Sequence, residues 1–328
     1  MDPLPEQYPR QGMTRGRPLP PLRVLLAAPR GFCAGVRRAI DAVEQALRRF
    51  GPPVFVRRAI VHNLAVVRSL EAKGAIFVEE LSEVPDGAVV ILSAHGVARH
   101  VEADGRNRGQ RVFNAICPLV AKVHQGVVRH HQDGRRVILI GHEGHPETIG
   151  TLGQLPEGAA FVVDSAEAVQ MLDLDPGTPV AYAVQTTYSA DEAAAIVAAI
   201  EARFSDARGP RGSDICYATT NRQAAVRSLA PRVDAMIVAG EHFSSNACRL
   251  AEVASAFGCP SVQLVADASH VDWSLLTRSR IVAITSAAST PEATVEGIVA
   301  ALAGRFDVQV EEVEHVAETV SFKPLKIH

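Results

Sequence analysis

No stretch of this sequence is apolar for long enough to cross a membrane, and its first residues lack the apolar core of an export signal. Both absences point to a cytoplasmic protein with no membrane partner. A surplus of basic charge is missing too. The 33 Lys and Arg against 36 Asp and Glu leave a net charge of -3, so no general attraction to nucleic acid is expected and an anionic ligand has to be met by a local site. Nor is there a disulfide framework. The five cysteines, Cys33, Cys117, Cys216, Cys248 and Cys259, are odd in number and widely spread, and they follow none of the local zinc or ferredoxin spacings. That pattern favours metal or redox use of some of them over disulfide pairing. No compositional bias towards disorder appears either: 47% of the 328 residues are hydrophobic and 21% charged, enough for two or three compact α/β lobes.

What is present begins with a proline-rich, Arg-containing segment, 1–22, which can build neither a helix nor a central strand and reads as a disordered extension. From Arg23 onward, runs of Val, Ile and Ala alternate with amphipathic helical stretches, the pattern of parallel sheets covered by helices. The stretch 27–47 sets the theme. Val24, Leu25 and Leu26 read as a short buried strand, and Val36, Ile40, Val43 and Leu47 recur at helical spacing, which puts Cys33 at a helix N-terminus. There the free amides and the helix dipole favour a thiolate, the form that binds metal. One such corner, alone, reads as a buried small side chain.

The corner occurs three times. CAGVRRAIDAVEQAL, CPLVAKVHQGVVRHH and CYATTNRQAAVRSLA open at Cys33, Cys117 and Cys216. Each leads into a strand ending in a polar loop: His62 and Asn63, then His142, His145 and Glu147, then Ser244, Ser245 and Asn246. A later strand in each third ends in a second polar loop: Ser93 and His95, then Gln185, Thr186 and Thr187, then Ser286 and Ser289. The expected fold is therefore α/β, with three pseudo-threefold-related lobes around a central cavity, each a small, mostly parallel sheet with helices. Their expected limits are 23–116 (its first strand able to join the third lobe's sheet), 117–212 and 213–305, with 306–328 a C-terminal tail packing over the lobes. Because ligands bind outside the carboxyl ends of strands in open parallel sheets, the loops and cysteines would converge on the cavity.

Three thiolates are too few for a closed structural zinc site and one short of the four that usually hold an iron–sulfur cluster. A four-iron cluster held by three cysteines keeps one iron open to a substrate oxygen. Cys248 and Cys259 occupy no repeated position and read as buried small side chains. The polar loops suit a phosphate or diphosphate, with His62, His95 and His145 each in a repeated loop. Glu147, two residues after His145 across Pro146, reads either as a proton donor or as a loop brace.

PRGFCAGVRRAI, VHN, SAHGV, CPLVAKVH, GHEGHPE, QTT, DICYATTNRQAAV and SSN, in this order, resemble the LytB/IspH family of 4-hydroxy-3-methylbut-2-enyl diphosphate reductases. The resemblance implies a 4Fe-4S cluster on Cys33, Cys117 and Cys216. It implies a diphosphate held by His62, His95, His145, Ser244, Ser245, Asn246 and Ser289, with Glu147 and Thr186 at the hydroxyl end relaying protons. The implied reaction is the last step of the non-mevalonate isoprenoid pathway, removal of the allylic hydroxyl as water to give isopentenyl and dimethylallyl diphosphate, with ferredoxin or flavodoxin as electron donor. The chain departs from the family pattern at Ala28, Asn114, Ile116, Phe243, Ala247, Ser286 and Ala287, in the shell around the cysteine and phosphate loops. A paralogue reducing a related allylic diphosphate and a non-catalytic iron–sulfur diphosphate sensor share the same motifs. Retention of Glu147 and Thr186 speaks against the sensor.

Overall fold

Short runs of valine, isoleucine and alanine make the strands, and two strands in the middle of each sheet are buried on both faces, as parallel strands sandwiched between helices must be. The computed structural model describes residues 19–328; nearly all of the expected extension, 1–22, lies outside them. Pro21 and Leu22, counted with that extension, already belong to the first strand, β1 (Pro21–Ala28).

The first lobe follows with α1 (Ala34–Phe50), β2 (Val54–Arg57), α2 (Leu64–Glu71), β3 (Ala75–Val78), β4 (Val89–Leu92), α3 (Arg99–Asn107) and β5 (Arg111–Asn114). The second holds α4 (Pro118–Gln132), β6 (Arg136–Ile140), α5 (Pro146–Leu152), β7 (Ala160–Val163), α6 (Ala166–Gln170), β8 (Val180–Val184), α7 (Ala190–Arg203) and β9 (Ala207–Arg208). The third holds α8 (Tyr217–Leu229), β10 (Ala235–Ala239), α9 (Ser245–Ala256), β11 (Val262–Val265), β12 (Ile281–Ser286), α10 (Glu292–Ala303) and β13 (Asp307–Glu314).

The strand orders are β3-β2-β4-β5, β7-β6-β8-β9 and β11-β10-β12-β1-β13, with parallel pairing in all three sheets. The same order recurs three times, and in each sheet the fourth strand (β5, β9 or β1) is the one that runs towards a cysteine. The chain thus closes a ring: its first strand completes the sheet of its last lobe, in register with β12 from Arg23↔Ile281 to Leu26↔Ile284. The segment read as a C-terminal tail begins instead with β13, which pairs with β1 along its whole length and forms the edge of that sheet. Its alternation is weak because most of its side chains face solvent.

Helix α1 lies on the first sheet chiefly through Ala39, Ala42, Val43 and Ala46, while Val36, Ile40 and Leu47 from the expected stripe pack at its flanks. Alanines on the buried face let the helix approach the strands closely. Among the described residues no helix is long and apolar enough to cross a membrane.

Leu25 of β1 is 2% exposed and packs against Val226, Leu229 and Met236 of the third lobe. Leu25→Ala should therefore lower unfolding free energy by about 2–5 kcal/mol, the usual cost of emptying a core leucine site. Urea unfolding checks this, and an unchanged midpoint would detach β1 from that core.

Candidate active site

Each cysteine is an N-cap. Cys33, Cys117 and Cys216 have extended backbones and precede α1, α4 and α8. Pro118 at the first position of α4 suits a site where a backbone N–H has no helical partner. One hydrogen bond repeats at all three corners. The Cys33 N–H donates to the Ala288 carbonyl (3.2 Å), that of Cys117 to Ala94 (2.9 Å) and that of Cys216 to Thr186 (3.0 Å). In each case the acceptor lies just past the third strand of the lobe the chain has left. Those acceptors are Thr186 itself and the neighbours of His95 and Ser289, so one bond positions both a sulfur and a polar loop.

The loops enclose a central cavity of about 110 Å³, continuous with solvent. Its walls carry all three cysteines together with His62, His95, His145, Glu147, Thr186, Ser244, Ser245, Asn246 and Ser289. Every site residue expected from the sequence therefore reaches one space. Thr187 lines it as well, while other loop residues brace it from outside. Asn63 caps α2 through Val66 N (3.1 Å), Gln185 accepts from His142 N (3.0 Å), and Ser286 accepts from Gly31 N (2.8 Å), bracing the loop before Cys33. The His142 ring packs on Tyr188 instead.

Two of the family departures are themselves braces: Ser286, and Asn114, whose Oδ1 accepts from Ile116 N (3.0 Å) just ahead of Cys117. Phe243 meets the His62 ring edge-on at 5.9 Å.

Between the cysteines the packing leaves a gap. A Cβ added to Gly35 would stand 2.7 Å from the Cys117 sulfur and 3.8 Å from that of Cys33, so glycine keeps the space open. Among the described residues no three His, Cys, Asp or Glu side chains are close enough to share one metal ion. Three sulfurs lining one cavity suit a larger body, and an all-thiol donor set suits iron and sulfide.

At two of the three corners burial opposes the expected thiolate. Burial pushes the Cys117 thiol up to about 11 and that of Cys216 up to about 12, and the neighbouring cysteines add to both shifts. The amide near Cys216, Thr219 N at 3.4 Å, is outweighed by desolvation. Ionising these sulfurs requires a positive centre among them, which a bound metal provides.

The anion side has no Lys or Arg in its wall. His62 and His95 stack with ring centroids 4.1 Å apart, and His145 stands edge-on to both. Burial lowers His62 to about 4 and His145 to about 3, and it holds His95 well below the usual histidine value, each aided by a neighbouring ring except at His62. All three rings are thus neutral near pH 7. His145 Nδ1 accepts from Glu147 N (3.2 Å), which places the ring proton on Nε2. That Nε2 is buried without a partner, as is Asn246 Nδ2, whose Oδ1 is occupied by Ala288 N (3.0 Å). Two donors aimed into a cavity and left unpaired mark where an acceptor belongs.

Glu147 is 2% exposed. Its carboxylate accepts from Thr186 N at 2.6 Å and from the Thr186 hydroxyl at 2.8 Å. Burial pushes it up to about 7, against those two bonds and with a further push from Asp214. It carries a proton part of the time at neutral pH.

Sequence reasoning missed Phe322, Tyr217 and Thr219, which also line the cavity. Tyr217 and Thr219 follow Cys216 within one helical turn and were within reach of the helical pattern. Phe322 lies in a stretch without periodicity and carried no signal.

Fold and site together define a class: three-lobed parallel α/β proteins that gather three cysteines and a ring of polar loops at one internal cavity. The chain belongs to the LytB family, whose model, described as LytB protein, matches residues 24–303. It is 53% identical over 305 residues to the 4-hydroxy-3-methylbut-2-enyl diphosphate reductase of Paracoccus denitrificans, covering 93% of this chain and 96% of that protein. The enzyme of the same name from Beijerinckia indica is 52% identical over 304 residues, covering 92% and 95%. Among solved structures, the E-1-hydroxy-2-methyl-but-2-enyl-4-diphosphate reductase from Plasmodium falciparum matches with a TM-score of 0.89 at 36% identity, covering 93% of this chain and 96% of that one. A second, described as (E)-4-hydroxy-3-methyl-but-2-enyl diphosphate reductase, the terminal enzyme of the non-mevalonate pathway, matches with a TM-score of 0.63 at 30% identity, covering 86% and 99%.

A diphosphate placed among three neutral rings raises their proton affinity, so binding should take up protons near pH 7 and tighten as pH falls from 8 to 6. Calorimetry with inorganic diphosphate in two buffers of different ionisation heat reads this directly. Equal heats would show that the histidines stay neutral.

Proposed function

We infer that this chain catalyses the reductive removal of the hydroxyl from (E)-4-hydroxy-3-methylbut-2-enyl diphosphate, giving isopentenyl and dimethylallyl diphosphate and water. The observation that carries this reading is the single cavity that holds three cysteines at one side, unpaired donors at another and a protonatable carboxylate beside them. The same reaction is named for relatives that are about half identical over nearly the whole chain.

Cys33, Cys117 and Cys216 would hold a 4Fe-4S cluster, in keeping with their thiol chemistry and the gap at Gly35. The cluster, when bound, supplies electrons and a Lewis-acidic iron for the substrate hydroxyl. The remaining chemistry belongs to side chains. His145 Nε2–H and Asn246 Nδ2–H donate to the diphosphate, joined by His62, His95 and the hydroxyls of Ser244, Ser245 and Ser289. Ser244 caps α9, whose first amides and positive dipole end favour the anion. Binding at that end fixes the hydroxyl end towards the cysteines.

Thr186 stands between Glu147 and the cavity. Its hydroxyl bonds the Glu147 carboxyl and can turn to the substrate oxygen, so a proton held on Glu147 reaches the departing hydroxyl without crossing bulk water. The neutral acid is available because the cavity disfavours the carboxylate. Two electrons and two protons balance the loss of water, and the electrons come from a ferredoxin- or flavodoxin-type donor.

Replacing Cys33, Cys117 or Cys216 by Ser should strip iron from anaerobically reconstituted protein. Cys248→Ser and Cys259→Ser should leave iron per chain unchanged, because those thiols donate to His242 O and Ser261 O on the third lobe. Loss of iron in either of the last two would overturn the ligand assignment.

The decisive assay uses the allylic hydroxy diphosphate and a chemical reductant under anaerobic conditions. Turnover confirms the reductase, whereas an iron-loaded, inert protein would make it a sensor. Glu147→Gln should keep iron and substrate binding while turnover drops about a hundred- to ten-thousandfold, the range of general acid catalysis. Turnover near the wild-type rate would return Glu147 to a bracing role.

A further inference from the structure

After β13 the chain does not leave the molecule. His315 N still donates to Ala28 O (2.8 Å), and the last residues then cross the cysteine side of the cavity. Two arginines catch them. Arg222 of α8, 0% exposed, bonds the Glu318 carboxylate through Nη1 at 2.8 Å and Nη2 at 3.4 Å, while the same guanidinium donates to Gly31 O (2.8 Å) in the loop before Cys33. Asn221 adds a bond to Glu318 at 3.2 Å. Arg38 of α1 bonds the Lys323 carbonyl (3.0 Å) and reaches Ile116 O (2.9 Å), next to Cys117. Each arginine thus ties the segment both to the helix that one cysteine caps and to the loop that carries another. Between the two latches, Phe322 lines the cavity together with Cys33, Cys117 and Cys216. Beyond them, Leu325 and Ile327 pack into the first lobe's core.

We propose that residues 315–328 form a strap that seals the cysteine side of the cavity, with Arg222–Glu318 and Arg38–Lys323 as its latches and Phe322 as the plug over the metal compartment. The strap rests on the reading of Cys33, Cys117 and Cys216 as cluster ligands. It acts by position: Phe322 keeps water and small oxidants from the sulfurs, and the arginines hold the three cysteine loops at fixed separation. Solvent exposure is one of the factors that set the potential of an iron–sulfur cluster, and a wetter compartment favours the more highly charged reduced form.

The test uses anaerobically reconstituted full-length protein and compares Phe322→Ala, Glu318→Gln and Val320→Ala with wild type. Val320 lies in the same segment but is exposed and makes none of the latch hydrogen bonds. The readouts are iron release to a chelator, bleaching of the visible cluster absorbance in air, the reduction potential and the melting temperature. Phe322→Ala should bleach and release iron about tenfold faster or more, the usual scale for loss of a supporting contact around a metal site, with a more positive potential. Its melting temperature should stay near that of wild type, since the ring faces the cavity. Glu318→Gln should move the same way, and Val320→Ala should match wild type. Wild-type protein that takes up no iron would defeat the cluster reading itself. Iron-loaded wild type and a Phe322→Ala variant with the same bleaching rate and potential would overturn the strap alone, even if Glu318→Gln fails to fold.

Discussion

The structure depends on one hydrogen bond made three times, from a cysteine N–H to a carbonyl of the loop that ends the preceding lobe's third strand. Each cysteine leaves one sheet and starts the helix that covers the next, so the three sulfurs sit where lobes meet. Other loop bonds follow the same rule: Ala94 N, Gln185 N and Ala287 N donate to Ile60, Ile140 and Ala239 carbonyls at equivalent places. A shift of one lobe therefore moves a sulfur and a polar loop together. The ring closes because β1 completes the last sheet, which ties the placement of the three cysteines to the folding of the first strand with the last lobe.

Burial sets the chemistry of the cavity more than any single charge. It keeps the histidines neutral, the Cys117 and Cys216 thiols protonated and Glu147 near the middle of its titration at neutral pH. With no Lys or Arg in its wall, the site gains positive charge only by taking up protons or metal. A pocket of that kind holds an anion without carrying a permanent positive field. The same low polarity that unsettles the carboxylate makes it a usable acid.

Much of this was legible beforehand because the chain repeats itself. His62, His95 and His145 stand out from twelve histidines only by falling in repeated loops, and all three meet, two stacked and the third edge-on to both. Glu147 is legible as the carboxylate that follows His145 across Pro146 in one of those loops. The pull of burial on the Cys117 and Cys216 thiols is not legible, because a helix N-terminus can be seen in sequence while the depth at which it lies cannot. Residues 307–314 were taken for a tail because an edge strand with one solvated face carries little hydrophobic signal. Phe322 had no pattern at all, its role being set by Arg38 and Arg222, nearly three hundred and one hundred residues away in the chain.

By itself the sequence determined which residues cap helices, which runs become buried strands and that three units share one plan, since these follow from local spacing and side-chain type. The tertiary structure alone decided that β1 belongs to the last lobe, that burial disfavours charge on Cys117, Cys216 and the three histidines, that His145 presents Nε2 and that the C-terminal residues cross the cysteines. Each of those rests on burial or on contacts between distant segments, and both arise only when the lobes close on one another.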